Sequence, residues 1–146
     1  MNWNTIPNNE RLHLWKSLRS EIYDLSLNEQ LSKISKFCAT MPMGRRTVDY
    51  YSPTDWPTPW EILFYGEFCK SSISLLMFYT IVLLDNKEQN TELWLVKDNH
   101  SDYLLPVIDN RYILNYEIGE ISNYTDICEY FIVMQKYSKE QIKKIN

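Results

Sequence analysis

The chain has 146 residues, a net charge of −4 and 45% hydrophobic residues, which predicts one compact domain spanning residues 1–146. Its three glycines exclude glycine-rich phosphate loops, and its acidic balance argues against nonspecific nucleic-acid binding. Three cysteines fit neither a disulfide framework nor a zinc site. With no signal peptide and no apolar run long enough to span a bilayer, we expect a reduced, cytoplasmic protein without membrane attachment.

Two amphipathic helices are predicted at the start of the chain. Residues 8–25 place apolar side chains at helical spacing, at Leu12, Trp15, Leu18, Ile22 and Leu25. The second helix is predicted to begin at Ser26, because Ser26 and Glu29 have the spacing of a capping box. Cys38 lies on the apolar stripe of this second helix, so its simplest interpretation is a core residue.

A short helix and a long helix are predicted in the middle of the chain. Residues 42–57 contain helix breakers and are expected to be irregular. Thr58 and Glu61 form a second capping box with proline at the first helical position, and Gly66 ends that short helix. Cys69 then begins a helix that runs to about residue 84 and is apolar nearly all round, which predicts a buried central helix.

The second half of the chain changes to the pattern of short strands. The predicted strands are residues 93–96, 103–108, 112–116 and 130–134. Asp109 and Asn110 are predicted as a two-residue hairpin turn, and Ser138 as the cap of a short C-terminal helix. The predicted class is therefore α+β: N-terminal helices, a central helix opened by Cys69, a small antiparallel sheet and a last helix.

Cys69 is the residue with the clearest chemical potential. A thiol at a helix N-terminus has its thiolate stabilised by backbone N–H groups and by the positive end of the helix dipole. Such a thiolate is a nucleophile for acyl-transfer chemistry. The alternative interpretation is a small hydrophobic side chain that packs at the beginning of the helix.

The residues before Cys69 resemble a family motif. Residues 56–61 read W-P-T-P-W-E and residues 66–71 read G-E-F-C-K-S, which is similar to the W-x-T-P-x-E and G-D-C-E-D of bacterial transglutaminase-like cysteine proteinases in the papain-like superfamily. The chain departs by one extra residue, Phe68, and by Lys70 and Ser71 in the place of two acidic residues. The resemblance implies a cysteine peptidase or amidase that cleaves a peptide or isopeptide bond without a metal or an organic cofactor.

The resemblance also implies a base and an orienting group. Of the two histidines, His13 is predicted on an exposed helix face, whereas His100 precedes a strand, as in the family. Asn115 follows fifteen positions later in Ile-Leu-Asn, where the family tends to carry V-L-D. Cys69 would attack the carbonyl, His100 would carry the proton, Asn115 would orient the imidazole, and backbone N–H groups at the helix start, including that of Cys69 itself, would hold the oxyanion.

Sheet geometry leaves two arrangements open for His100. With a two-residue turn, Leu104 pairs with Asn115, and His100 lies four residues further, about 13 Å along an ideal strand. A loop that folds back would bring the three groups together. A tight turn followed by a straight strand would leave His100 out of reach; Tyr103 or Leu104 would then hold the histidine position and the protein would be a pseudoenzyme.

Other residues and the biological setting also have two interpretations. Trp56 and Trp60 either line a substrate cleft or pack beneath the central helix, and Glu61 is either the capping acid or a group near the oxyanion.

The partner is a polypeptide substrate or, in a non-catalytic interaction protein with this fold, another protein. The composition, rich in Asn, Ile, Lys and Tyr, is typical of a low-GC genome and compatible with a phage protein that acts in the host cytoplasm or the virion.

Overall fold

The computed structural model describes residue 3 and residues 5–44, 48–84 and 89–142, and these form an α+β fold as predicted. The helices are α1 (Asn8–Ile22), α2 (Leu27–Ala39), α3 (Pro59–Tyr65), α4 (Lys70–Leu83) and α5 (Tyr124–Ile127). The strands are β1 (Thr91–Lys97), β2 (Asp102–Ile108), β3 (Tyr112–Leu114), β4 (Ile121–Asn123) and β5 (Ile132–Tyr137). Single 3-10 turns lie at Pro53–Asp55, Cys128–Tyr130 and Lys139–Gln141.

The two N-terminal helices follow the sequence prediction closely. Helix α1 ends at Ile22 rather than at residue 25. Helix α2 begins after Ser26, whose Oγ accepts a hydrogen bond from the Glu29 N–H at 3.4 Å and donates one to Glu29 Oε1 at 2.9 Å. Cys38 is buried as predicted, and desolvation raises the pKa of its thiol to about 12.

Helix α4 lies at the centre of the fold, which confirms the prediction from its apolar sequence. Every residue from 71 to 81 is buried. Two of its buried polar side chains are hydrogen-bonded to other elements: Ser74 Oγ donates to the Leu104 carbonyl at 2.7 Å, and Thr80 Oγ1 accepts from the Trp15 indole N–H at 2.9 Å. Among the described helices, none is long and apolar enough to cross a membrane.

The five strands form one antiparallel sheet in the order β4-β3-β2-β1-β5. One face packs against α4 and contributes Leu93, Leu95, Leu104, Ile108 and Leu114 to the main core. The opposite face carries a second apolar cluster built on Trp94, Val96, Tyr103, Leu105 and Val107. Strand β4 and helix α5 were not predicted, because both are short and carry few apolar residues.

The hairpin between β2 and β3 corrects one prediction. Ile108 pairs with Tyr112, so the loop has three residues, Asp109, Asn110 and Arg111, instead of two. Asp109 and Asn110 both adopt φ of 55°, and the Asp109 backbone N–H donates to the Asn90 carbonyl at 2.8 Å. This hydrogen bond fixes the loop to the segment before β1. It is a long-range contact, so the turn dipeptide Asp109-Asn110 does not predict it.

The C-terminal element is shorter than predicted within the described residues. Ser138 does cap it, since its backbone N–H donates to Gln141 Oε1 at 2.9 Å. The element is a single 3-10 turn, Lys139–Gln141, and residues 143–146 of the predicted helix lie outside the described part of the chain.

Candidate active site

Cys69 is the N-cap residue of α4, as the sequence predicted. The Ser72 N–H donates to Cys69 Sγ at 3.3 Å, and the Cys69 N–H donates to Ser72 Oγ at 2.8 Å. The thiol is only partly buried. The sulfur therefore lies where the unpaired backbone N–H groups of the first helical turn can stabilise negative charge.

A buried arginine holds the chain reversal that leads to Cys69. Gly66 ends α3 with φ of 68°, and the Arg11 guanidinium donates to the last carbonyls of that helix, Leu63 O at 2.6 Å and Phe64 O at 2.7 Å. A side chain at Gly66 would have its Cβ 2.8 Å from Arg11 Cζ. A cation at a helix C-terminus is favourable. The sequence reasoning missed Arg11, although it lies at helical spacing with Trp15 on the buried face of α1.

The extra residue of the motif, Phe68, is accommodated in the core. Its ring is fully buried and packs edge-on against Trp3, with ring centroids 6.1 Å apart. Its backbone pairs with Met43 in a parallel bridge, and its carbonyl accepts from the Gly44 N–H. The insertion therefore leaves Cys69 at the helix start.

Asn115 lies against the same helical turn. It is 3% exposed with φ of 65°, and its Nδ2 donates to the Lys70 carbonyl at 3.0 Å and to Ser74 Oγ at 2.8 Å. Both amide hydrogens are thus directed at α4, which leaves Oδ1 as the atom that can accept from an imidazole. The structure brings Asn115 and Cys69 to the first turn of one helix.

His100 lies at the tip of the β1–β2 hairpin and its side chain is exposed. The loop is tight, because Asp98 Oδ1 accepts from the backbone N–H groups of His100 at 2.7 Å and Ser101 at 2.9 Å. Strand β2 then pairs with β1 along its whole length. Strand β3 ends at Leu114 and Asn115 has a φ of 65°, so the β2–β3 pairing does not extend to Asn115. Among the described residues, the His100 side chain forms no hydrogen bond with Cys69 or Asn115, and its role as a base stays a prediction.

Strand alternation identifies the residues of β2 that face α4. Leu104 and Ile108 belong to the core on the α4 side, whereas Tyr103 belongs to the opposite cluster. Asp102 shares the face of Leu104 because side chains alternate along a strand. The contact between Ser74 and Leu104 shows that the beginning of β2 lies nearest the beginning of α4. Asp102, which sequence reasoning missed, is therefore the polar β2 residue on the face of the candidate site.

Lys70 connects the start of α4 to the His100 loop. Its Nζ lies 4.3 Å from the centre of the Tyr103 ring, and the Tyr103 hydroxyl donates to Asp98 Oδ2 at 2.9 Å. Desolvation lowers the pKa of Lys70, and the charge of Asp98 opposes that effect. Burial first, and then Asp98, raise the pKa of Tyr103. Lys70 thus supplies a positive charge where the family motif has an acidic residue.

The remaining motif residues are Trp56, Trp60 and Glu61, which form contacts within the fold. Trp56 is 1% exposed with its ring 5.1 Å from that of Tyr137, and Trp60 packs edge-on against Trp15. Glu61 is the capping acid, since its Oε1 accepts from the Thr58 N–H at 3.1 Å. Trp56 and Glu61 also line a cavity beside the start of α4. Their contact with a substrate stays a prediction.

Within the described part of the chain, no group of three or more His, Cys, Asp or Glu side chains is arranged to hold a metal ion. No protein-family profile and no curated protein sequence matches the chain.

Solved structures of Legionella pneumophila LapG, a bacterial transglutaminase-like cysteine protease, are similar to this fold. The calcium-bound form matches with a TM-score of 0.72 and 12% identity over 93% of this chain and 78% of LapG. A second LapG structure and an EGTA-treated form give TM-scores of 0.70 and 0.71, each at 12% identity over 90% of this chain and 74% of LapG. At 12% sequence identity, this structural similarity shows only that the folds are alike. The chain has a transglutaminase-like fold.

Proposed function

We propose that the chain is a transglutaminase-like cysteine peptidase or amidase that acts on a peptide or isopeptide bond through Cys69. The observation that carries the proposal is the half-buried Cys69 thiol, at the N-cap of the central helix of a fold similar to LapG. The fold supports the general class, and the Ser72 N–H already contacts the sulfur at 3.3 Å.

In this proposal Cys69 Sγ attacks the substrate carbonyl carbon and a C–S bond forms. The oxyanion is held by backbone N–H groups at the beginning of α4. Because the Cys69 N–H already donates to Ser72 Oγ, the N–H groups of Lys70 and Ser71 are the readier donors. The base takes the thiol proton and gives it to the leaving amine as the C–N bond breaks. Water then hydrolyses the thioester, which releases a carboxylic acid and regenerates the thiol.

His100 is the proposed base and Asn115 Oδ1 the group that orients it. Asn115 is held in place by two hydrogen bonds to α4. His100 is held only through its backbone, by Asp98. The proposal therefore requires the β1–β2 hairpin to bend toward α4 when a polypeptide substrate binds.

The first test compares the alkylation rates of the three cysteines with iodoacetamide at pH 6, read by mass spectrometry of each cysteine peptide. We expect Cys69 to react faster than Cys128, although Cys128 is the more exposed, and Cys38 to remain unmodified because it is buried. A Cys128→Ser variant is the control: the alkylation rate assigned to Cys69 should be the same when Cys128 is absent. Equal rates at Cys69 and Cys128 would rule out an activated thiolate.

The second test measures turnover of unfolded polypeptides. Cys69→Ala should abolish cleavage, and His100→Ala should lower it by about 100-fold or more, the usual contribution of a general base. His13→Ala is the matched control, since His13 is also exposed. Equal activity of the two histidine variants would contradict the role of His100.

The second candidate is a non-catalytic interaction protein that keeps the fold. The placement of His100 at the hairpin tip favours it, as do Lys70 and Ser71 in the positions of the motif's acidic residues. Cys69 would then serve as a helix cap, and Cys69→Ser would preserve stability because serine is a good N-cap residue. The partner would be a protein, and the low-GC composition would fit a phage protein in the host cytoplasm or virion.

A further inference from the structure

Lys70 contacts the segments that carry all three candidate groups of the site. It is the first residue of α4 and directly follows Cys69 in the chain. Its backbone carbonyl accepts a hydrogen bond from Asn115 Nδ2 at 3.0 Å. Its side chain contacts the β1–β2 hairpin that carries His100, with Nζ 4.3 Å from the centre of the Tyr103 ring. Lys70 therefore joins the turn of the candidate nucleophile to the two other segments.

The contact between the Lys70 ammonium and the Tyr103 ring is shielded from water. Lys70 is half-buried, and Tyr103 is 6% exposed because it belongs to the second apolar cluster. A cation over an aromatic ring is attracted more strongly when the two groups are desolvated. The contact therefore holds the hairpin more firmly than an exposed lysine over an exposed ring would.

Tyr103 is in turn connected to the turn that carries His100. Its hydroxyl donates to Asp98 Oδ2 at 2.9 Å. The other oxygen of Asp98 accepts from the backbone N–H groups of His100 at 2.7 Å and Ser101 at 2.9 Å. A continuous chain of contacts thus leads from Lys70, through one ring and one carboxylate, to the backbone of the candidate base.

The two ends of this chain differ in exposure. Lys70, Tyr103 and Asp98 are buried or half-buried, whereas His100 and Ser101 are exposed. The base of the hairpin is therefore fixed against α4, and the tip is the part with room to move.

We propose that Lys70 is a positioning residue, which ties the β1–β2 hairpin to the first turn of α4 and so sets the position of His100 relative to Cys69. This proposal rests on the proposed function, in which the hairpin bends toward α4. With its base held at Tyr103, the hairpin bends at its tip, and His100 moves over the turn where Asn115 already lies.

The first test is amide hydrogen exchange of the folded protein, followed by NMR, which needs no turnover. Lys70→Ala removes the contact with the Tyr103 ring, so we expect the backbone N–H groups of His100 and Ser101 to exchange about three- to tenfold faster, as for a loss of one cation–π contact. The side-chain amide of Asn115 should be unaffected, because it bonds to the backbone of residue 70. Lys70→Arg keeps a cation over the ring and should restore the natural rates.

Two further variants test the route and the specificity of the effect. Tyr103→Phe keeps the ring and removes the hydroxyl that bonds to Asp98, so it should speed exchange at His100 by a similar factor. Adding Lys70→Ala to it should then change the rate by less than about twofold, because the chain of contacts is already broken.

Lys136→Ala is the matched control. The Nζ of Lys136 lies 4.3 Å from the centre of the Trp94 ring, an equivalent contact elsewhere on the sheet. This variant should leave the exchange of the hairpin unchanged. Unchanged exchange at His100 in Lys70→Ala, or equal acceleration in Lys136→Ala, would overturn the proposal.

The second measurement is turnover of unfolded polypeptides. Lys70→Ala should lower kcat by about tenfold or more and leave KM within about twofold, since misplacing a reacting group slows the chemical step. Lys70→Arg should recover most of kcat, and Lys136→Ala should match the natural chain. A raised KM with kcat unchanged would show that Lys70 binds substrate instead, and an unchanged kcat despite faster exchange would overturn the positioning role. A natural chain without activity would contradict the proposed function, whereas the exchange rates alone decide whether Lys70 ties the hairpin to α4.

Discussion

The start of α4 and the tip of the β1–β2 hairpin are built in opposite ways. At the start of α4, Ser74 and Asn115 are buried and their polar groups bond to one another and to backbone carbonyls. At the hairpin tip, His100 is exposed and is held only through its own backbone by Asp98. The surroundings of Cys69 are therefore part of the core, whereas His100 is peripheral, and the proposed activity would depend on the second region.

The largest expected effect is on Asn115. Asn115→Ala removes two buried hydrogen bonds and places alanine at φ of 65°, so we expect the free energy of unfolding to fall by about 2–4 kcal/mol. Urea denaturation measures it. Asn115→Gly, which suits the positive φ, should lose about 1 kcal/mol less. A loss below about 1 kcal/mol in both variants would contradict the view that this region is part of the core.

Ser74→Ala should have the next largest effect. It leaves the Asn115 amide and the Leu104 carbonyl without a side-chain partner, at a cost of about 1–3 kcal/mol. Ser35→Ala is the matched control, because Ser35 is equally buried and its Oγ has no partner among the described residues; we expect it to be near neutral. The Ser74–Asn115 double-mutant cycle should give a coupling of about 0.5–3 kcal/mol, and additive losses would show that the two residues act separately.

Asp98 should make the hairpin tip sensitive to acid. The backbone N–H groups of His100 and Ser101 lower the pKa of Asp98. The contribution of ionised Asp98 to the stability of the folded state is therefore present above the unfolded pKa of about 3.9. It is lost as the pH falls through the lower pKa of the folded state. The His100 amide signal in NMR should shift below about pH 4 in the natural chain and stay constant in Asp98→Asn. A titration that persists in Asp98→Asn would assign the effect to another group.

The smallest expected effect on stability is at His100. Because the imidazole is exposed, His100→Ala should change the free energy of unfolding by less than about 0.5 kcal/mol in a urea titration. His13→Ala, on the exposed face of α1, should behave alike. A loss above about 1 kcal/mol for His100→Ala alone would show that the hairpin tip packs against the rest of the fold and would remove the contrast between the two regions.

Local patterns determined the helices and the position of the thiol. The capping spacing of Ser26 with Glu29 and of Thr58 with Glu61 located the starts of α2 and α3, and the apolar run after Cys69 identified the central helix. These features can be predicted from the sequence because a cap or an amphipathic stripe involves residues within a few positions of one another.

Only the tertiary structure decided which side chains meet around Cys69. The contact of Asn115 with Lys70 joins residues 45 positions apart, and the Arg11 contact with Leu63 joins residues 52 apart. The three-residue loop at Asp109 and the tight turn at Asp98 set the strand register, and a shift of one residue moves every side chain to the other face. The sequence by itself therefore put a thiol at the N-terminus of a buried helix. Long-range pairing decided that Asn115 reaches that helix and His100 lies at the hairpin tip, because register and side-chain contacts depend on the whole fold rather than on neighbours in the chain.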